Sequence, residues 1–160
     1  MRRALELYYR FLKLALTVLM FLLVVPVTLQ IVSSYVPFVP RYIWTEEMAR
    51  FCFIWIILIG AIIAMREGTH FTVDLLPPPA TRRAEGLRNM FVDFNIFLVA
   101  LVFILWGKPL VEFGLLQTSE MAELPMVLIY SAWPLAGASW ILFLIEKTAD
   151  NIKLVRSPEP

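Results

Sequence analysis

The segment WTEEMARF, residues 44–51, places two adjacent carboxylates and an arginine at the start of a long apolar run. Glu46 and Glu47 could act as a general acid and base, carry a proton or substrate, or hold another membrane protein. On a helix, Glu46 lies four residues and Glu47 three residues before Arg50, so either carboxylate can pair with the guanidinium group. A solvated pair of this kind contributes only about 0.2–0.5 kcal/mol. The choice among these roles depends on the elements that position the residues.

The composition excludes most soluble and enzymatic classes. The chain has 160 residues, 60% apolar and 17% charged, whereas soluble domains have about 45–50% and about 25%. A net charge of +1 gives no reason to expect nucleic acid binding. Cys52 and His70 are single residues of their types, which excludes an internal disulfide and bis-histidine haem ligation. The Gly-rich phosphate loop and the H-E-x-x-H and G-x-S-x-G motifs are absent, so we expect no enzyme and no cofactor.

Four apolar stretches predict an all-α integral membrane protein with four transmembrane helices, because a span needs about 20 residues. The first stretch is too long for the apolar region of a signal peptide and is predicted to be retained. Short interfacial segments are expected between the spans, including one in the connection that follows residue 107. We treat residues 1–160 as a single four-helix membrane domain. The predicted spans cover approximately residues 12–36, 44–66, 85–107 and 124–145.

The distribution of Lys and Arg predicts the orientation of the chain. Eleven of the 14 basic residues lie in the N-terminal segment, the 66–90 connection and the C-terminal tail, and the other three lie on the opposite side. Cytoplasmic segments carry the excess of Lys and Arg. Both termini are therefore predicted to be cytoplasmic.

The start of the second span suggests two further local features. Thr45 is a plausible N-cap for a helix that would place the carboxylates near its positive end. On the same helix, Trp44, Glu47, Phe51 and Trp55 fall at spacings of 3, 4 and 4. These four residues form one stripe that could face a partner or a lipid headgroup.

Small residues recur four apart in two of the predicted spans. Ala132 and Ala136, with Gly137 alongside, lie in the fourth span, and Gly60 and Ala64 lie in the second. Small residues at this spacing let the backbones of membrane helices approach closely. They indicate candidate helix contacts, either within the chain or with a partner.

The middles of the predicted spans carry no ionisable side chains, and Asp93 falls near a predicted end. Intramembrane charges usually mark ion paths or substrate sites. Their absence is an argument against a complete transporter. The alternative is a self-sufficient small transporter that works as a homo-oligomer. Its nearest candidate polar residues are Gln30, Ser33 and Asn95.

The second span and its exit resemble the small (Q-type) membrane subunit of tripartite ATP-independent periplasmic (TRAP) transporters. The resemblance rests on W-T-E-E-M-A-R-F, then F-x-W, then L-I-G-A-x-x-A-M-R-E-G-x-H-F-x-V-D, from Trp44 to Asp74. It implies an accessory scaffold subunit in the bacterial inner membrane, surrounded by lipid and bound to a large multi-span subunit. That subunit would import an organic acid, a carboxylate or sulfonate-like anion, with sodium. A periplasmic substrate-binding protein would deliver the anion.

The resemblance also implies two groups of site residues. The first group, at the start of the second span and along it, is predicted to contact the partner: Trp44, Glu46, Glu47, Arg50, Trp55 and Gly60. The second group is predicted to order the cytoplasmic connection: Arg66, Gly68, His70 and Asp74.

Overall fold

A computed structural model of the chain describes residues 2–36, 38, 40, 42–67 and 82–156. These residues form four long helices and one short helix. Four helical segments are long and apolar enough to cross a membrane, and α4 and α5 together make up the fourth. The helices are α1 (Arg2–Tyr35), α2 (Trp44–Glu67), α3 (Arg82–Leu115), α4 (Val127–Tyr130) and α5 (Ala132–Arg156).

Two prolines, Pro109 and Pro134, affect their helices differently. Pro109 lies inside α3, which continues to Leu115, so the first half of the connection expected after residue 107 is helical. Membrane helices tolerate proline where neighbouring groups satisfy the freed backbone. Pro134 has a stronger effect, because it cannot donate to the carbonyl of Tyr130 and its ring crowds that carbonyl. The regular helix is accordingly interrupted at Ser131, between α4 and α5, although the backbone there keeps helical dihedral angles.

The helices pack in the order α1, α2, α5, α3, and α3 with α5 forms the most extensive pair. The starts of α1 and α3 lie at the same end of the bundle as the last turns of α2 and α5, and we call this the terminal end. The opposite end, which holds the start of α2 and residues 116–126, is called the loop end. The core includes Leu12, Leu58, Ile62, Ala136, Phe143 and Leu144.

Glycines permit the close contact of α3 with α4 and α5. A Cβ atom added to Gly137 would lie 2.7 Å from the carbonyl oxygen of Ala100, and one added to Gly107 would lie 2.8 Å from Cδ of Pro134. At Gly114 an added Cβ would lie 2.9 Å from the backbone nitrogen of Val127. The absence of side chains lets the helix backbones approach, as is common between membrane helices.

The first and fourth membrane-length segments differ in burial. Only 6% of the most apolar 18-residue window of α1 is buried within the chain, compared with 44% for the window in α4 and α5. Most of α1 therefore faces lipid or another protein when the chain is in a membrane.

Candidate partner interface

Glu46 and Glu47 have different environments. Glu46 is exposed and pairs with Arg50 across one helical turn, with 3.4 Å between Oε1 and Nη2. Glu47 lies on the other side of α2, where its Oε2 accepts a hydrogen bond from the hydroxyl of Ser119. The same oxygen accepts from the backbone N–H groups of Met121 at 3.2 Å and Ala122 at 2.8 Å. Glu47 is thus bound to its own chain, whereas Glu46 remains available at the surface.

The segment held by Glu47 is a short hairpin-like turn at the loop end. The backbone N–H of Ser119 donates to the carbonyl of Leu124 at 2.8 Å, and the backbone N–H of Met126 donates to the backbone carbonyl of Gln117 at 3.0 Å. Glu123 adopts a positive φ of 53°, which residues with a side chain adopt infrequently. Because the carboxylate of Glu47 accepts three hydrogen bonds from this turn, it ties the connection between α3 and α4 to the start of α2.

The tryptophans at the start of α2 also differ. The indole Nε1–H of Trp55 donates to the carbonyl oxygen of Leu128 in α4 at 3.0 Å, and Phe51 is buried. Trp44 is 42% exposed, and its ring centroid lies 6.2 Å from that of Tyr42. Three members of the predicted stripe, Glu47, Phe51 and Trp55, therefore contact the chain itself, and Trp44 is the member left at the surface.

The N-cap prediction for Thr45 is wrong. The helix begins one residue earlier, at Trp44. The hydroxyl of Thr45 donates to the carbonyl of Tyr42 at 2.6 Å, so it does not accept a hydrogen bond from the first helical turn. Thr45 is buried, and its bond to the preceding turn explains how a buried hydroxyl is satisfied.

Gly60 lies on the open side of α2. A Cβ atom added there would have no atom of the described residues within 4 Å outside its own helix and chain neighbours. The close backbone approach that its small size permits is therefore not used within the described part of the chain.

Arg66 joins three helices at the terminal end. Its guanidinium donates to the carbonyl of Leu5 at 3.0 Å and to Oε2 of Glu6 at 2.9 Å. The same group lies over the rings of Tyr9 and Phe143, at 4.3 and 5.0 Å from their centroids. These contacts connect α2 to α1 and α5.

Three other residues predicted at this end, Gly68, His70 and Asp74, lie outside the described residues. Their expected role in ordering the connection therefore stays a prediction.

A buried polar cluster that the sequence did not predict joins α3 to α5. Asp93 is only 4% exposed. Its Oδ2 accepts from the side-chain amide of Asn151 at 2.6 Å, and its Oδ1 lies 3.3 Å from Nζ of Lys147. The sequence feature that could have indicated this cluster is the spacing of Lys147 and Asn151, which are four residues apart and so share one face of a helix.

The candidate polar residues of the alternative transporter make local hydrogen bonds. The hydroxyl of Ser33 donates to the carbonyl of Gln30 at 3.0 Å, and the amide of Asn95 donates to the carbonyl of Phe91 at 2.7 Å. Each bond stays on the residue's own helix. Within residues 2–67 and 82–156, as far as they are described, there is no group of three His, Cys, Asp or Glu that could hold a metal ion.

Comparison with known families identifies the chain. The family described as "Tripartite ATP-independent periplasmic transporters, DctQ component" matches residues 23–154, which is most of the chain. The chain belongs to this family. It is a multi-pass protein of the bacterial inner membrane and a small permease subunit of the TRAP type. The resemblance inferred from the α2 motif is confirmed.

Individual relatives of this small TRAP subunit are distant. The isethionate TRAP transporter permease protein DctMQ of Oleidesulfovibrio alaskensis is 29% identical over 115 residues, 70% of this chain and 18% of that protein. The sialic acid TRAP transporter permease protein SiaT of Haemophilus influenzae is 24% identical over 131 residues, 82% of this chain and 21% of that protein. The chain thus spans about a fifth of the length of these two relatives.

A third relative, from Haemophilus influenzae, has a name that includes the words "TRAP transporter small permease protein". It is 25% identical over 108 residues, 68% of this chain and 67% of that protein. Membership of a transporter family agrees with the expectation that the chain is not an enzyme. Partner contact at the six predicted interface positions stays a prediction.

Proposed function

We propose that the chain is the accessory scaffold subunit of a TRAP-type secondary transporter and binds its large multi-span transport subunit. The large subunit imports an organic acid, a carboxylate or sulfonate-like anion, with sodium. Membership of the family supports this role. Two relatives are named for the anions isethionate, which is a sulfonate, and sialic acid, which is a carboxylic acid. In both relatives the matched segment is about a fifth of a longer permease, which supports assigning transport to a larger partner.

One observation carries the scaffold assignment: polar side chains at both ends of the bundle are bonded to neighbouring elements of the same chain. At the loop end, Glu47 and Trp55 tie α2 to the turn and to α4. At the terminal end, Arg66 ties α2 to α1, and Asp93 ties α3 to α5. Bonds of this kind favour one fixed arrangement of helices. A fixed arrangement suits a static support for a moving transport subunit.

We further propose that the terminal end faces the cytoplasm and the loop end faces the periplasm. The excess of Lys and Arg at the terminal end supports this orientation. A periplasmic substrate-binding protein would then deliver its ligand on the side of the turn at residues 116–126. Protease added to intact spheroplasts should cleave in this turn and leave terminal tags intact. Loss of either tag would contradict the orientation.

The function is tested by reconstituting the large subunit in liposomes with and without this chain. We expect sodium-driven uptake, in the presence of the binding protein, to require both chains. Full uptake and normal stability of the large subunit alone would contradict the scaffold role. Uptake into liposomes that contain only this chain would establish the alternative, a self-sufficient homo-oligomeric transporter.

The contribution of the two carboxylates is tested separately. Replacing both, Glu46→Gln with Glu47→Gln, should weaken assembly or transport while membrane insertion continues. Because Glu47 binds the turn and Glu46 lies at the surface, the single variants should differ. We expect Glu46→Gln to weaken assembly with the large subunit. We expect Glu47→Gln to weaken the attachment of the turn to α2 within the chain itself. Unchanged complex yield and transport in the double variant would reduce the pair to a solvated helix end.

A further inference from the structure

The exposed positions of α2 between Thr45 and Gly60 fall along one line. Between Thr45 and Gly60, the exposed side chains are those of Glu46, Arg50, Phe53 and Ile57. With Gly60 they form a set that we call the α2 seam, at intervals of four, three, four and three. Intervals of this kind keep a stripe facing a neighbouring helix in left-handed packing. The geometry of the seam therefore suits a second helix packed along α2.

Gly60 marks the point of closest approach on the α2 seam. A glycine inside a helix is less favourable than alanine by about 0.5–1 kcal/mol. At Gly137 the absence of a side chain is used, because the carbonyl of Ala100 occupies the space. At Gly60 the corresponding space is open in the described chain. The backbone of another helix would fill it, as small residues permit in membrane proteins.

The charges on the α2 seam distinguish it from a lipid-facing stripe. The side chains of Glu46 and Arg50 are 64% and 62% exposed. They adjoin an uncharged run of 15 residues, Phe51–Met65, which is about 22 Å long, whereas the hydrocarbon core is about 30 Å thick. Lipid packed on the seam would therefore meet charged groups close to hydrocarbon depth. A protein helix can offer these groups polar partners.

The exposed line of α5 gives the contrast. Its spacing is similar, but its members are all apolar: Leu135, Ala138, Leu142, Ile145, Ala149 and Ile152. An all-apolar line is what a helix presents to lipid. The difference lies in the charged end and the open glycine of α2.

We propose that the α2 seam docks one transmembrane helix of the large transport subunit. Gly60 lies at the closest approach of the two backbones, and Glu46 and Arg50 bind polar side chains of that helix near the loop end. This inference rests on the proposed function and specifies its contact surface. Glu47 and Trp55 lie outside the docking surface, since they bind the chain's own turn and α4.

The first test places a photo-crosslinking amino acid at Ile57 on the seam, or at Leu142 on the α5 line, in the complex within native membranes. We expect the probe at Ile57 to crosslink to the large subunit and the probe at Leu142 not to do so. A crosslink from Ile57 to a second copy of this chain, or no protein crosslink from Ile57, would overturn the proposal.

The second test compares Gly60→Leu with the matched variant Ala138→Leu by co-purification with a tagged large subunit. Overpacking at the contact should lower recovery of Gly60→Leu by about tenfold, while Ala138→Leu is recovered like the natural chain. The free energy of unfolding of each isolated variant, measured in detergent, checks that the substitution leaves the fold of the chain intact. Equal recovery of both variants, or equal loss, would overturn the proposal.

The two proposals fail in different ways. If the natural chain recovers no large subunit, the proposed function is wrong and the docking surface with it. If the natural chain recovers the large subunit, and Gly60→Leu recovers it equally well, only the α2 seam is wrong.

Discussion

Substituting alanine for glycine at two helix positions should have opposite effects on the stability of the isolated chain. At Gly137 the new Cβ atom would lie 2.7 Å from the carbonyl oxygen of Ala100, 3.0 Å from Cγ1 of Ile104 and 3.1 Å from Cβ of Phe103. Two of these three atoms are fixed by the backbone of α3, so the helices must separate. At Gly60 the new Cβ atom meets nothing within 4 Å.

The magnitude follows from two contributions. Both variants gain about 0.5–1 kcal/mol because alanine is the better helix former. Gly137→Ala also pays an overpacking penalty of about 1–3 kcal/mol, whereas Gly60→Ala does not. The free energy of unfolding should therefore be lower for Gly137→Ala than for Gly60→Ala by about 1–3 kcal/mol. Because the helix-propensity gain is shared, this difference isolates the contact between α3 and α5.

The assay is equilibrium unfolding of the purified chain in mild detergent by titration with a denaturing detergent, followed by circular dichroism and tryptophan fluorescence. Gly60→Ala is the matched control. Equal free energies of unfolding for the two variants would refute the reasoning, since they would mean that α3 and α5 do not pack closely at Gly137.

Three further predictions concern the polar ties. Lys147→Met should lower the free energy of unfolding by about 3 kcal/mol, since it leaves the carboxylate of Asp93 buried without its ion-pair partner. Glu47→Gln should increase the rate of proteolysis in residues 116–126, because a neutral amide is a weaker acceptor for the three donors of the turn. Arg66→Lys should lower the free energy of unfolding by about 1–2 kcal/mol, since lysine cannot reproduce the two hydrogen bonds together with the cation–π contacts to two rings.

Each of these predictions has a comparison variant. Lys147→Arg retains the positive charge and should remain close to the natural chain in the unfolding titration. Glu46→Gln removes a neighbouring exposed carboxylate and should leave proteolysis of the turn unchanged. Arg66→Met removes the charge, the hydrogen bonds and the ring contacts together, and should be less stable than Arg66→Lys. Equal stability of Arg66→Lys and the natural chain would contradict the role assigned to Arg66.

The spans could be predicted because hydrocarbon imposes a simple requirement on sequence. A membrane-spanning helix needs about 20 predominantly apolar residues, because its backbone must be satisfied within the membrane. The first and fourth apolar stretches meet this length directly, and the second and third meet it with their flanking residues. The end of α3 was less predictable. Lys108 and Pro109 resemble a helix stop, yet the helix continues to Leu115, since the composition of a segment does not show whether neighbouring groups satisfy a broken helix bond.

The roles of neighbouring carboxylates could not be predicted from their spacing. Glu46 and Glu47 both lie within reach of Arg50 on a helix. Only the position of the turn after α3 shows that Glu47 binds Ser119 and leaves the arginine to Glu46. Glu47 and Ser119 are more than 70 positions apart in the sequence. The periodicity of α2 contains no information about the turn that holds Ser119.

In water, a large exposed apolar surface is itself evidence for a binding site. In a membrane it is not, because lipid chains are as apolar as the side chains and association gains little from burying them. The exposed surface of α1 therefore does not identify a partner. Exposed charge and an unused glycine are more informative, since the hydrocarbon chains of lipids satisfy neither. In the described chain, the two features coincide on α2, where Glu46, Arg50 and Gly60 lie along one line.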